Sequence, residues 1–182
     1  MSIVPSLATA QRYQLQGEPV RTGKIHYFPD GTRNVIVDTG SAKQLILAPE
    51  QISWFEQGSS RFEPVSNFTV RFKRESIHIA HDFAILKDTG DIALFIYYLF
   101  TSPGRSTTSF LLRKRGETNF VVIHDNSSHY DHGTFSSRDQ KLLLKVFGNN
   151  SNLRQLLTQQ QLTCRNFPAY VHSYNQQVSH PR

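Results

Sequence analysis

The sequence predicts an α+β domain built on a curved antiparallel sheet, and three observations predict it. Strand-like segments punctuated by turn residues run from Asn67 to His124 with no gap long enough for a crossover. Parallel neighbours would need connections of roughly a dozen residues or more. Amphipathic stretches suited to helices flank that run on both sides. Aromatic residues make up 12% of the 182-residue chain, 13 Phe and 7 Tyr among them. Such richness suits a sheet wrapped round a core or a ligand cavity.

Taken in order, Pro5 to Gln16 reads as a short helix ended by Gly17, and Glu18 to Tyr27 fits helix or strand. Pro29-Asp30-Gly31 is turn chemistry, because Pro sets φ and Gly accepts φ > 0. Asn34 to Asp38 is an apolar, β-branched strand stopped by Gly40. Pro49 opens a second short helix, to Gln57, which offers Ile52, Trp54 and Phe55 to the core. From Asn67 the pattern alternates: Phe68, Val70 and Phe72 against Thr69 and Arg71. Ile77, Ile79, Phe83 and Ile85 continue it to the turn Asp88-Thr89-Gly90-Asp91. Ile92 to Phe100 is almost unbroken apolar sequence, the mark of a central strand buried on both faces. Ser102-Pro103-Gly104 turns the chain, Thr107 to Lys114 returns, and Arg115-Gly116-Glu117 leads to a last strand, Asn119 to His124.

After Asn126 the composition turns polar. Ser137-Arg138-Asp139-Gln140 has the S-x-x-Q pattern of a capping box, ahead of Leu142, Leu143, Leu144, Val146 and Phe147. Gly148 fits the position just past that helix. Asn152 to Leu162 is a further helix, Pro168 ends the predicted order, and the last dozen residues read as frayed. The organisation expected is a sheet domain over residues 1–130 and a helical extension over 131–182.

Composition narrows the function classes. The longest apolar run is strand-sized, against the 18 or so residues of a membrane span, and no membrane partner is expected. Residues Met1 to Gln16 lack the apolar run of a secretion signal, and a lone Cys164 cannot make an intrachain disulfide. The expectation is a cytoplasmic protein, in which the sequons at Asn67, Asn126 and Asn149 carry no weight. The net charge of +6 and pI near 9.6 favour acidic partners. The basic residues are nonetheless scattered, in Arg71-Phe72-Lys73-Arg74, Arg113-Lys114-Arg115, Lys141, Lys145, Arg154 and Arg165. That scatter argues against a dedicated nucleic-acid surface.

The span from Ser6 to Ser128 resembles the nuclear-transport-factor-2-like superfamily, with its ketosteroid-isomerase, dehydratase and cyclase relatives. The resemblance is carried by Phe110 to Ser128, a strand, a basic-Gly turn and a strand ending in His-x-x-Ser. Gln11-Arg12-Tyr13, Tyr27-Phe28-Pro29-Asp30, Val37-Asp38 and the Leu45 to Gly58 phrase add to it. It implies a cone-like half-barrel under N-terminal helices, and a homodimer. It also implies a role for Tyr13 as hydrogen-bond donor to a substrate oxygen and for Asp38 as the group moving a proton between carbons. A second oxyanion donor would fall near Ser109 and Phe110, where this chain has no acid.

Three constellations could carry chemistry. Tyr13 with Asp38 would serve proton transfer, since a phenol stays protonated at neutral pH and keeps donating; the same residues also read as a core tyrosine and a turn-capping aspartate. The histidines form the second group: His78, His81, His124, His129 and His132 with Asp82, Asp125 and Asp131. In it His124 is a candidate general base oriented by Asp82, while the loop pair His129 and His132 lacks the supporting shell of a metal site. The third, Val35-Ile-Val-Asp-Thr-Gly-Ser41, looks like an aspartic-protease signature, but Asp-Thr-Gly is also ordinary turn sequence, and its second copy at Asp88 lies in a polar turn.

The leading expectation is a small-molecule pocket protein lined by Phe83, Phe95, Tyr97 and Phe110. Its chemistry would be cofactor-free proton transfer on an apolar substrate, of isomerase, dehydratase or cyclase type. The alternative is a non-catalytic interaction or dimerisation module, docking an acidic protein or nucleic acid through its basic surface and helical tail.

Overall fold

Alternation governs the first half of the chain. In the computed structural model, residues 11–29, 33–40, 43–72, 75–102, 105–124, 133–148 and 150–179 are described. Gln11–Leu15 forms β1, in which Tyr13 is buried between the outward-facing Arg12 and Gln14. The described part of the expected first helix is therefore a strand. The short segment QRYQL fits a period of two, and non-local pairing to two neighbours decides it. β2 (Val20–His26), β3 (Val35–Asp38) and β4 (Leu45–Leu47) follow as an antiparallel ladder. Pro49–Gln51 is a single 3-10 turn, and Ile52–Gln57 continues as strand β5 rather than as helix. The β-branched and aromatic Ile52, Trp54 and Phe55 pack best on a pleated surface.

Long strands come next: β6 (Ser60–Phe72), β7 (Glu75–Asp88), β8 (Ile92–Ser102), β9 (Arg105–Lys114) and the short β10 (Val121–His124). The sheet is antiparallel and open, in the order β10-β9-β8-β7-β6-β5-β1-β2-β3-β4. Helices come last, as α1 (Ser137–Val146), α2 (Ser151–Thr158) and α3 (Phe167–Ser179). An α+β architecture with a large antiparallel sheet is thus present. Among the described residues no helix precedes the strands.

The cap of α1 sits one residue earlier than the sequence pattern suggests. Ser136 Oγ accepts the Asp139 N–H at 3.2 Å and donates to Asp139 Oδ2 at 2.6 Å. Gly148 adopts φ +69°, as expected just past a helix end. α3 replaces the expected frayed end. Pro168 is its second residue, where a missing N–H is harmless, and Phe167, Val171 and Asn175 form a buried stripe at helical spacing.

Two compact units result, Met1–Val65 with His81–Ile85 and Ser66–Ala80 with Leu86–Arg182. The first unit closes on Tyr13, Ile25, Tyr27, Val35, Val37, Leu47, Ile52, Phe55 and Phe83. Its rings meet edge to face, Tyr27–Phe83 at 5.4 Å and Phe55–Phe83 at 5.0 Å. The second unit buries β8 on both faces, as its apolar run predicts, with Leu94 at 0% and Phe95 at 1% exposure.

Candidate functional site

Tyr13 and Asp38 are placed by the register of β2. Tyr13 pairs with Arg21, and Asp38 pairs with Lys24. Partners three residues apart on one strand face opposite ways. Tyr13 therefore enters the core, where it is 1% exposed, and Asp38 projects from the other face. Gly23 lies beneath the tyrosine ring; a Cβ there would stand 2.8 Å from Val37 Cγ1 and 3.5 Å from Tyr13 Cε1. Asp38 Oδ1 accepts the Gly40 N–H at 2.9 Å, closing its own turn.

Asp82 and Phe83 belong to the same unit. Asp82 is 7% exposed. Its Oδ1 accepts the Phe83 N–H at 2.8 Å and the Tyr27 hydroxyl at 3.4 Å, and Arg33 Nε lies 3.6 Å from Oδ2. The Phe83 ring packs into the aromatic cluster. His81 Nδ1 lies 3.0 Å from Glu50, and His78 is exposed.

The second unit holds His124, Phe95, Tyr97 and Phe110. Tyr97, Ser109 and His124 form one cross-strand row over β8, β9 and β10. His124 Nε2 accepts the Arg71 backbone N–H at 2.9 Å, and Nδ1 lies 4.0 Å from Asp139 Oδ1. Because Nε2 accepts, the ring proton sits on Nδ1, toward Asp139. Burial lowers the His124 pKa, with Arg138 and Arg71 adding to the fall and Asp139 opposing it. Ser, His and Asp side chains thus come close, but not as a nucleophilic triad: Nε2 is occupied, and Ser109 is 1% exposed. The Ser109 hydroxyl is buried with no hydrogen-bond partner among the described residues.

The proposed lining residues do not share a face. Phe95 and Tyr97 lie on one side of β8, with Phe68 5.0 Å from Tyr97 and Phe120 5.6 Å from Phe95. Arg113 covers Phe95 and Phe120 at 5.3 Å each. Phe110 pairs with Ile96 and so points the other way, against Phe167 at 5.1 Å.

One polar cluster escaped the sequence reading. Asn175 on α3 accepts the Ile92 N–H at 3.0 Å and donates to the Ile92 carbonyl at 2.8 Å, as a neighbouring strand would. It also donates to Asp88 Oδ1, whose Oδ2 lies 2.6 Å from His172 Nδ1. The detectable signal was a polar residue on the apolar stripe Phe167, Val171, Asn175. Asp88 is thereby held in a structural clasp. The Tyr170 hydroxyl of α3 is also buried, with no hydrogen-bond partner among the described residues, and burial pushes the phenol up to about 12. His129, His132, Asp125 and Asp131 lie outside the described residues; among those described, no group of three His, Cys, Asp or Glu could hold a metal. Among the described residues no helix is long and apolar enough to cross a membrane.

Exposed apolar surface gathers on the first unit. His26, Ile36 and Ile46 form a cross-strand row on its outer face, ending at β4, the terminal strand of the sheet. Ile46 is 65% exposed, and Phe28, just past β2, is 61% exposed. From Gln44 to Ala48 the edge carries no charge. Compared with known proteins, the chain matches no family model, no curated protein and no solved structure.

Proposed function

We propose that the chain is a non-catalytic interaction module that docks an extended segment of an acidic partner protein along the edge of β4 that no described strand pairs. The observation that carries this reading is Ile46, 65% exposed on an uncharged terminal strand. Edge strands are usually blunted by charge or cover, because they invite pairing. Strand addition supplies affinity through main-chain hydrogen bonds and selectivity through alternate side chains. The net charge of +6 favours an acidic partner. Three paired edge residues offer far less than the roughly 1,600 Å² of a stable protein interface, which favours a short segment over a second copy. Tyr13 and Asp38 on opposite faces speak against one proton-transfer site.

The cone-like half-barrel belongs to this proposal too, since the resembled fold is widely used as a docking scaffold. It is supported by His124, which reaches from β10 to the backbone of β6, four places along the sheet order. In a flat sheet that distance is about 19 Å, beyond any imidazole, and a sheet that rolls at this end would bring the two together.

The test is affinity capture with the wild type and with Ile46→Asp, identifying what binds. A specific acidic protein captured by the wild type should be lost from the variant, with the melting temperature unchanged. Retention on Ile46→Asp, with loss in Tyr13→Phe or Asp38→Asn, would overturn the reading. Bound nucleic acid, or a concentration-dependent dimer abolished by Ile46→Asp, would replace the partner proposed.

A second reading, a small-molecule site, rests on the buried Ser109 hydroxyl, which has no hydrogen-bond partner among the described residues. Mass spectrometry of the denatured protein checks it. A stoichiometric small molecule, absent from Ser109→Ala, would favour it.

A further inference from the structure

Independently of what docks at β4, we infer that His124 is an acid-released latch that ties β10 to β6. The tie is the hydrogen bond from the Arg71 N–H to His124 Nε2 at 2.9 Å. Only the neutral imidazole can accept there, because protonation sets one N–H against another. Among the described residues, the charged groups facing the ring are Asp139 and Arg138 on α1 and Arg71 on β6. Ser109 and Tyr97 lie in its cross-strand row. Asp139 stands on the Nδ1 side, so an imidazolium turning toward it would leave Arg71 N–H without an acceptor. Ser136, the N-cap of α1, holds the Asp139 carboxyl and N–H in place.

The direction of the pH effect follows from burial. His124 is held below the free imidazole value of 6.5, chiefly by desolvation. Between the two values the unfolded chain binds more protons than the folded one. The latch's stabilisation is therefore complete above about pH 6.5 and declines as pH falls through the lowered folded value. Histidine is suited to a switch over this range.

The test is amide hydrogen exchange at Arg71 by NMR, corrected for intrinsic rates, at about pH 7.5 and at an acidic pH where the imidazole nitrogen shifts report His124 protonated. The wild type should lose at least roughly tenfold in protection on acidification, while the Ile79 amide holds. His124→Gln keeps an acceptor oxygen and cannot titrate, so its Arg71 protection should not change with pH. Imidazole nitrogen shifts should report the Nδ1–H tautomer above neutral pH. Equal protection at both pH values in the wild type would overturn the inference. So would an acid-induced loss as large in His124→Gln.

Discussion

A methyl group at Gly90 would lie 2.4 Å from Asn175 Cγ. The turn after β7 and the carboxamide of α3 are therefore fitted to each other. Gly90→Ala should cost about 1–3 kcal/mol by overpacking. Asn175→Ala should cost a comparable 1–3 kcal/mol for each Ile92 backbone group it leaves unpaired. Combined, the two changes should cost less than their sum, because truncating Asn175 makes room for the added methyl. Denaturant titration of the four proteins measures the coupling; strict additivity would show that the residues do not share one space. At this scale the sequence was legible where one residue has one local task. Asp38 closes the turn at Gly40, a role that Asp-Thr-Gly states outright. Whether Tyr13 and Asp38 share a face depends on partners Arg21 and Lys24, and register is not written in either segment.

At the scale of elements, strands with strong alternation or continuous apolar sequence emerged where expected, β3 and β7 to β9 above all. Short segments failed for a physical reason: Gln11–Leu15 and Ile52–Gln57 are too brief for periodicity to separate helix from strand, and they are fixed by mutual pairing. α3 was hidden by reading Pro168 as a stop, although proline is favoured in a first helical turn. Its Phe167 ring meets Phe110 at 5.1 Å and Phe135 at 5.3 Å. Phe167→Ala should destabilise the second unit by about 3–5 kcal/mol. Helix ellipticity reports on this unit, which contains all three described helices. Its thermal midpoint should fall by well over the effect of an exposed control such as Val178→Ala, and equal effects would contradict the packing.

For the whole molecule, each compact unit has its own apolar core, and the chain's only tryptophan lies in the first. Trp54 donates to Gln14 at 2.7 Å and lies 4.6 Å beneath Arg61. Its fluorescence should register Phe83→Ala more strongly than Phe167→Ala. The opposite ranking would mean that the cores are not separately organised. The docking proposed for this chain would rest on its surface: Asp38, Asp82 and His124 each accept a backbone N–H, while Ile46 and Phe28 meet solvent. Hydroxyl-radical footprinting of the captured complex tests that most directly. Labelling of Ile46 and Phe28 should drop severalfold on binding while that of Phe100 and Val178 stays level; undiminished labelling of Ile46 would contradict the docking edge.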